Sequence, residues 1–415
     1  MRLFAFLLVC LWSLACVAKN ATLSENDALT LFYQRNLDLI AAKYNIERAR
    51  AQQIIDAAIP NPVISWDVTE ISRRADFKHL GPATIVRIDQ LIVTAGKRRL
   101  RMEGSALAAQ AAEQDLRDAI RTFSNTVRHA FYSLLLAQKT GELAQDNRAR
   151  FEEILRANHL RVKTGDIAES DFLRIEVEGL KVQSDLDNAM ASVKQARAEL
   201  AVLLGWPDNA RGLVAQNAWL EPKDSGQDRG EDALIEKAID QRPDLQAAKL
   251  RIEQSEKALE LARRVRIPDV TIGADYSNDP SNNVRNSYGL GISIPLPIFY
   301  RQKGEIGQAV VDLNSAKLDF QRAEQSIHSD VVSSLAVLSS ADAIVKRFRQ
   351  EVLKRIETIR KTAEFAYSRG ATSILDLLEA ERNYKALMLE YYNALNSRST
   401  AYADLLKAVG EEAER

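Results

Sequence analysis

Two carboxylates, Asp376 and Glu379, stand three residues apart, which on a helix places them about one turn apart on a shared face. Thr372 and Ser373 just before them are residue types that cap a helix start, and an acidic first turn complements the helix dipole. Little else in the chain has a spacing that does chemistry. His79, His129, His159 and His328 are scattered with no ligand spacing, so no metal site is expected. Glycine-rich phosphate loops, nucleophile motifs and paired acid–base constellations are all missing, so the chain reads as a non-enzyme without a cofactor. Lys plus Arg is 56 against 57 Asp plus Glu, and that balance argues against a nucleic-acid partner.

The acidic pair must be positioned by helices. The run from Phe365 to Glu379 carries helical pattern on both sides of Gly370, a residue that ends a helix in a left-handed conformation at little cost. The same design occurs earlier, around Gly165, with Leu160 and Val162 before it and Ser170 and Asp171 after it. The repetition continues along the chain: Asp38-Leu-Ile-Ala-Ala-Lys43 is matched by Asp244-Leu-Gln-Ala-Ala-Lys249, Pro62 by Pro268, and Gly205 by Gly410. A constant offset of about 205 residues marks an internal duplication. Each copy is expected to hold a helix (Ala28 to Ile54 in the first), a hairpin, a very long helix, a turn and a further helix. The expected division is 1–18 leader, 19–206 first repeat, 207–230 irregular connection and 231–415 second repeat.

Only 17 glycines and 10 prolines interrupt the chain, so the helices should be long. In the second copy Ile306, Val310, Leu313, Phe320, Ile327, Val331, Leu335, Leu338, Val345, Phe348, Val352, Ile356 and Ile359 follow spacings of three, four and seven, a coiled-coil-like stripe. About 60 such residues make a rod of roughly 90 Å, which must pack along other long helices. Between the helices the period changes to two. Ile64, Trp66 and Val68 alternate with polar residues, residues 84–91 form a second candidate strand, and 270–276 and 288–294 repeat the pattern. One apolar face and one polar or glycine face suit a membrane barrel, and four strands cannot close one, so several chains must contribute. A small soluble sheet capping the bundle is the competing reading.

The N-terminus joins a basic head to an apolar run over residues 3–15, as in a secretory signal, and the run is too short for a comfortable membrane span. Both cysteines, Cys10 and Cys16, lie in this 1–18 leader. Ser13-Leu-Ala-Cys16 resembles a bacterial lipoprotein cleavage site with Cys16 acylated; the competing reading is cleavage after Ala18.

These motifs in this order resemble the TolC-type outer-membrane efflux family over nearly all of the mature sequence. The resemblance rests on Asp-Leu-x-Ala-Ala in both copies, Pro-Asn-Pro62 and Pro268 before the strands, Gly-Lys-Arg-Arg99 after one hairpin, and the turns at Gly165 and Gly370. The branch it looks most like is the one serving heavy-metal and cation efflux (CzcC-like). The fold implied is mainly α with membrane β: a homotrimeric α-helical tunnel in the periplasm under a shared twelve-stranded barrel in the outer membrane. The partners implied are outer-membrane lipid, a periplasmic adaptor and an inner-membrane pump of the RND type. Asp376 and Glu379 match acidic positions that ring the tunnel entrance, where copies of them would favour cations. Tyr367, Ser170 and Asp171 match positions that hold the entrance shut, and Thr372 stands where the family's gate has an arginine. Leu160, Val162, Gly165, Ala366 and Gly370 match the turns that adaptors contact. Drug-efflux and type I secretion channels share this architecture. The reading from another class is a periplasm-spanning coiled-coil scaffold without a pore.

Overall fold

Where a helix breaks, and which face it buries, fixes how this chain can fold. In the computed structural model, which describes residues 21–69, 82–221, 230–280 and 284–410, the expected first helix is two helices, α1 (Glu25–Arg35) and α2 (Leu37–Ala57). The break at Asn36 is extended (φ −64°, ψ 127°). Its Oδ1 accepts from the Leu39 amide at 2.9 Å, and its Nδ2 donates to the Leu203 carbonyl at 2.8 Å. The second copy breaks in the same way at Arg242, between α5 (Glu231–Gln241) and α6 (Pro243–Arg264). Arg242 donates to the Ala408 carbonyl at 3.4 Å and to Asp330 at 2.8 Å. In each copy the break residue thus satisfies a carbonyl left over at the end of that copy's last helix.

The long helices are α3 (Lys97–Thr164), α4 (Glu169–Leu203), α7 (Lys303–Arg347), α8 (Leu353–Ser368) and α9 (Ile374–Val409). A π turn over Phe348–Val352 joins α7 to α8 and inserts one extra residue into the repeat. Ile327, Val331, Leu338 and Val345 are buried ahead of it, Phe348 at its start and Ile356 after it. The extra residue then turns the stripe: Ile359, expected inside, is 55% exposed, and Arg360 is buried in its place.

The chain divides into two compact units, and each contains parts of both sequence repeats. One unit comprises residues up to Ala41, Asp118–Arg242 and Ser326 onward. Its core includes α3 around Phe131, Tyr132, Leu134 and Leu135, all nearly fully buried. There Arg128 pairs with Glu25 at 2.8 Å and the Tyr132 hydroxyl donates to the same carboxylate. The connection after α4 is more ordered than expected: a 3-10 turn (Pro207–Gly212) leads into β4 (Leu213–Ala215), which pairs in parallel with β1 (Ala21–Leu23). Trp219 then stacks on Tyr132 at 6.3 Å between centroids, so an aromatic anchor and a ladder of backbone bonds pin this segment. The rest of the expected connection, residues 222–229, lies outside the described residues, as do the leader with Cys10 and Cys16, His79, and part of each hairpin loop.

The other unit comprises Ala42–Arg117 and Pro243–Gln325. Its sheet has the order β2 (Val63–Thr69), β3 (Ala83–Ile92), β5 (Val270–Asp279) and β6 (Val284–Ser293), antiparallel throughout. The register stacks like on like. Trp66, Val86, Tyr276 and Tyr288 form one cross-strand row, and Ile64, Ile88, Ala274 and Leu290 form the next. The opposite face holds Arg87, Asp89 and Asp275, with Arg87 paired to Asp89 at 2.9 Å. Gly273 and Gly289 sit beneath these groups: a Cβ at Gly273 would lie 2.2 Å from Asp89, and one at Gly289 would lie 2.6 Å from Asp275. The glycines on the polar face therefore make room for charge. All four helix connections leave from one end of this sheet. There Asp269 accepts from Lys97 at 2.8 Å and from the Thr94 amide at 2.8 Å, tying the two copies together. Among the described residues no helix is long and apolar enough to cross a membrane.

Candidate functional site

The two helix reversals close with the same hydrogen bonds. At the first, Gly165 (φ +79°) donates to Val162 at 3.0 Å and Asp166 to Arg161 at 2.8 Å. At the second, Gly370 (φ +72°) donates to Tyr367 at 3.0 Å and Ala371 to Ala366 at 2.9 Å. Both are Schellman closures, which need a left-handed residue at that position. The next helices start differently. Ser373 caps α9 in a capping box: its Oγ accepts from the Asp376 amide at 3.3 Å, and Asp376 accepts from the Ser373 amide at 3.0 Å. Ala168 starts α4 with no side-chain cap. Of the two capping candidates, Ser373 takes the role, and Thr372 is exposed.

Asp376 therefore has a structural duty, with an oxygen tied to the cap. Glu379 is exposed one turn later, and among the described residues it has no ion pair. Behind them Ile374, Leu377 and Leu378 pack with Phe151, Ile175 and Val182 in one buried cluster, which fixes the start of α9 against α3 and α4. Tyr367 packs at the edge of that cluster and donates its hydroxyl to Asn158 Oδ1. Asn158 is fully buried and uses its amide on the Ile154 carbonyl at 2.8 Å. The Arg161 guanidinium lies 5.2 Å from the Tyr367 ring centroid, in cation–π range. Tyr367 thus makes an inter-helix polar contact, but its partners within the chain are Asn158 and Arg161. Ser170 is exposed, and Asp171 faces Arg174 of its own helix at 3.6 Å. Leu160 and Gly370 are exposed, as is Gly165, while Val162 and Ala366 are half-buried. His159 is exposed and its ring rests 5.7 Å from that of Phe172.

Further along α9 lies a charged layer. Arg382 takes Glu178 in two bonds of 2.9 and 2.5 Å, and Lys385 pairs with Asp185, so α9 is laced to α4. The hydrogen bond from Arg382 holds the Glu178 carboxyl below its ordinary range. Arg360 is buried among Glu357 at 2.9 Å, Glu381 at 3.6 Å and the Tyr384 ring at 4.9 Å. Burial pushes the Glu381 carboxyl above its ordinary range, and the nearby Arg150 pulls it down. The sequence does hold a signal for two of these groups: Asn158 and Glu381 each occupy a slot where the helical repeat expects an apolar residue, whereas at Arg360 the repeat points to Ile359 instead. Among the described residues no cluster of His, Cys, Asp and Glu could hold a metal ion.

A family model described as "Outer membrane efflux protein" matches this chain twice, over residues 29–206 and 234–411. The chain belongs to the outer membrane efflux protein family. It is accordingly an outer-membrane efflux channel, resident in the outer membrane and extending into the periplasm. Among curated members, the cobalt-zinc-cadmium resistance protein CzcC of Cupriavidus metallidurans is 24% identical over 383 residues, covering 92% of this chain and 89% of that protein. The cation efflux system protein CusC of Escherichia coli K12 is 21% identical over 406 residues, covering 93% and 87%. Among solved structures, the Campylobacter jejuni CmeC outer membrane channel superimposes with a TM-score of 0.81 at 17% identity, covering 94% of this chain and 87% of that one. The duplicated helix–hairpin–long helix–helix unit is thus the fold of the outer-membrane efflux channels.

Proposed function

We propose that three copies of this chain form one passive exit duct for metal cations. A periplasmic adaptor would connect it to an inner-membrane pump of the RND type, and the chain itself would carry no catalysis. The observation that carries this reading is the sheet. Its apolar rows are exposed, with Leu290 at 90%, while its charged groups line the other face. The ten residues of β6, tilted by about 45°, rise roughly 24 Å, close to the apolar band of outer-membrane barrels. Among the described residues the outer strands β2 and β6 each have a neighbour on one side only, so copies of the chain would supply the strands that close the barrel. Three copies would give twelve strands. The cation assignment draws on the likeness to CzcC and CusC and on the exposed Glu379 beside Asp376. Purified protein in planar bilayers should give discrete conductance; silence where a related channel conducts would favour a scaffold without a pore. A deletion strain tested against zinc, cobalt, cadmium, copper, silver, detergents and dyes should lose tolerance to metals first. Loss confined to detergents and dyes would reassign the substrate to drugs.

A further inference from the structure

The end of the sheet that carries the helices has a second character. After β6 the chain runs Ile294-Pro-Leu-Pro-Ile-Phe-Tyr-Arg-Gln before α7 begins, and Leu296 and Ile298 are exposed while Phe299 is entirely so, at 101%. The apolar alternation of β6 therefore continues past the last strand residue. The segment is held rather than loose. Its two prolines fix the backbone, and Tyr300 accepts from the Gly304 amide at 2.8 Å and donates to Glu305 at 2.7 Å. Cations lie at the same end of the sheet. Arg266 precedes β5 at the same end, Arg301 and Lys303 follow Phe299, and all three are exposed with no carboxylate partner among the described residues. The nearby carboxylates are already engaged: Asp269 by Lys97, Glu260 by Arg264 and Glu305 by Tyr300.

We infer that this end of the sheet is a binding collar for anionic phospholipid headgroups of the periplasmic leaflet, with Arg266, Arg301 and Lys303 taking the phosphates and Phe299 the acyl–headgroup boundary. The inference rests on the barrel reading above. If the apolar rows face acyl chains, the residues directly beyond them lie at headgroup depth, where aromatic rings and cations are favoured. Unpartnered cations at that depth meet phosphate rather than water alone, and each adds attraction to an anionic surface. The helices on this side place it in the periplasm.

The test uses the full-length protein in phosphatidylcholine vesicles doped with spin-labelled phosphatidylglycerol or spin-labelled phosphatidylcholine. The motionally restricted fraction should favour phosphatidylglycerol by about five-fold. The triple variant R266Q/R301Q/K303Q should abolish the preference, and R266K/R301K should retain it, which separates lost charge from lost fold. Inorganic phosphate in the buffer should leave the preference unchanged. No preference in the unaltered protein, an unchanged preference in the triple variant, or displacement by free phosphate overturns the collar. Brominated acyl chains should quench the emission contributed by Trp66. Quenching without lipid preference refutes the collar alone, whereas an unquenched Trp66 removes the barrel reading and the collar with it.

Discussion

At the scale of single residues, the tip separates groups that the sequence presents as equals. Asp376 and Glu379 share a face, but Asp376 is committed to the cap of α9 and Glu379 is not. Glu379→Gln should therefore lower cation over anion permeability, read from reversal potentials in planar bilayers, and leave stability unchanged. Asp376→Ala should do both, lowering selectivity and costing about 1 kcal/mol of helix stability. If Glu379→Gln conducts with unchanged selectivity, that carboxylate only decorates a helix start. Tyr367→Phe leaves a buried Asn158 oxygen without its donor, a cost of about 1–3 kcal/mol, and should raise the open fraction of the channel if this contact closes the entrance. Arg360→Ala should be worse, about 3 kcal/mol, because Glu381 is left buried beside other carboxylates; thermal unfolding should show recovery on adding Glu381→Gln. From residue type and position alone, Tyr367 reads equally as core packing and the acidic pair as a helix start; their roles at a tunnel entrance come from the family resemblance. The partner of Asn158 was not legible, since a polar residue within an apolar repeat does not name the hydroxyl that will reach it from some 200 residues away.

At the scale of elements, the order of helices, turns and hairpins was legible because period and punctuation carry it. Register within the long helices was less so. A repeat of threes and fours cannot show a single inserted residue, yet the π turn at Phe348–Val352 decides that Arg360, not Ile359, faces inward. Closeness between elements is also hidden. Gly165 and Gly205 look alike in sequence and both have positive φ, but a Cβ at Gly165 would meet nothing within 4 Å, whereas one at Gly205 would lie 2.6 Å from the Arg35 carbonyl. Gly165→Ala should cost about 1–2 kcal/mol and Gly205→Ala about 3 kcal/mol, with melting temperatures ranked accordingly. Equal losses would mean that the packing of α1 against the end of α4 relaxes freely. The α4–α9 lacing has its own pH signature. Because Glu178 titrates below its ordinary range, its contribution is present above the unfolded value of about 4.3 and is lost as pH falls through the lower folded value. Glu178→Gln should flatten that acid limb of a stability-versus-pH curve. An unchanged limb would assign the acid sensitivity to other carboxylates.

At the scale of the whole molecule, the sequence repeats and the compact units divide the chain differently, and this follows from helices longer than a single core can bury. The duplication shows in matched detail: Asn36 and Arg242 break their helices alike and each reaches a carbonyl at the end of its own copy. Such pairs can be found in a sequence once the offset is known, but the partner of each side chain cannot. The outer strands β2 and β6 carry main-chain amides and carbonyls that no strand among the described residues satisfies. A newly exported chain would then be a template that any extended segment could extend, including another misaligned copy. Biogenesis becomes a race between correct closure and open-ended polymerisation. The outcome should depend on chain concentration during refolding: dilute chains delivered to a bilayer should yield channels, and concentrated chains in water should yield β-rich aggregate.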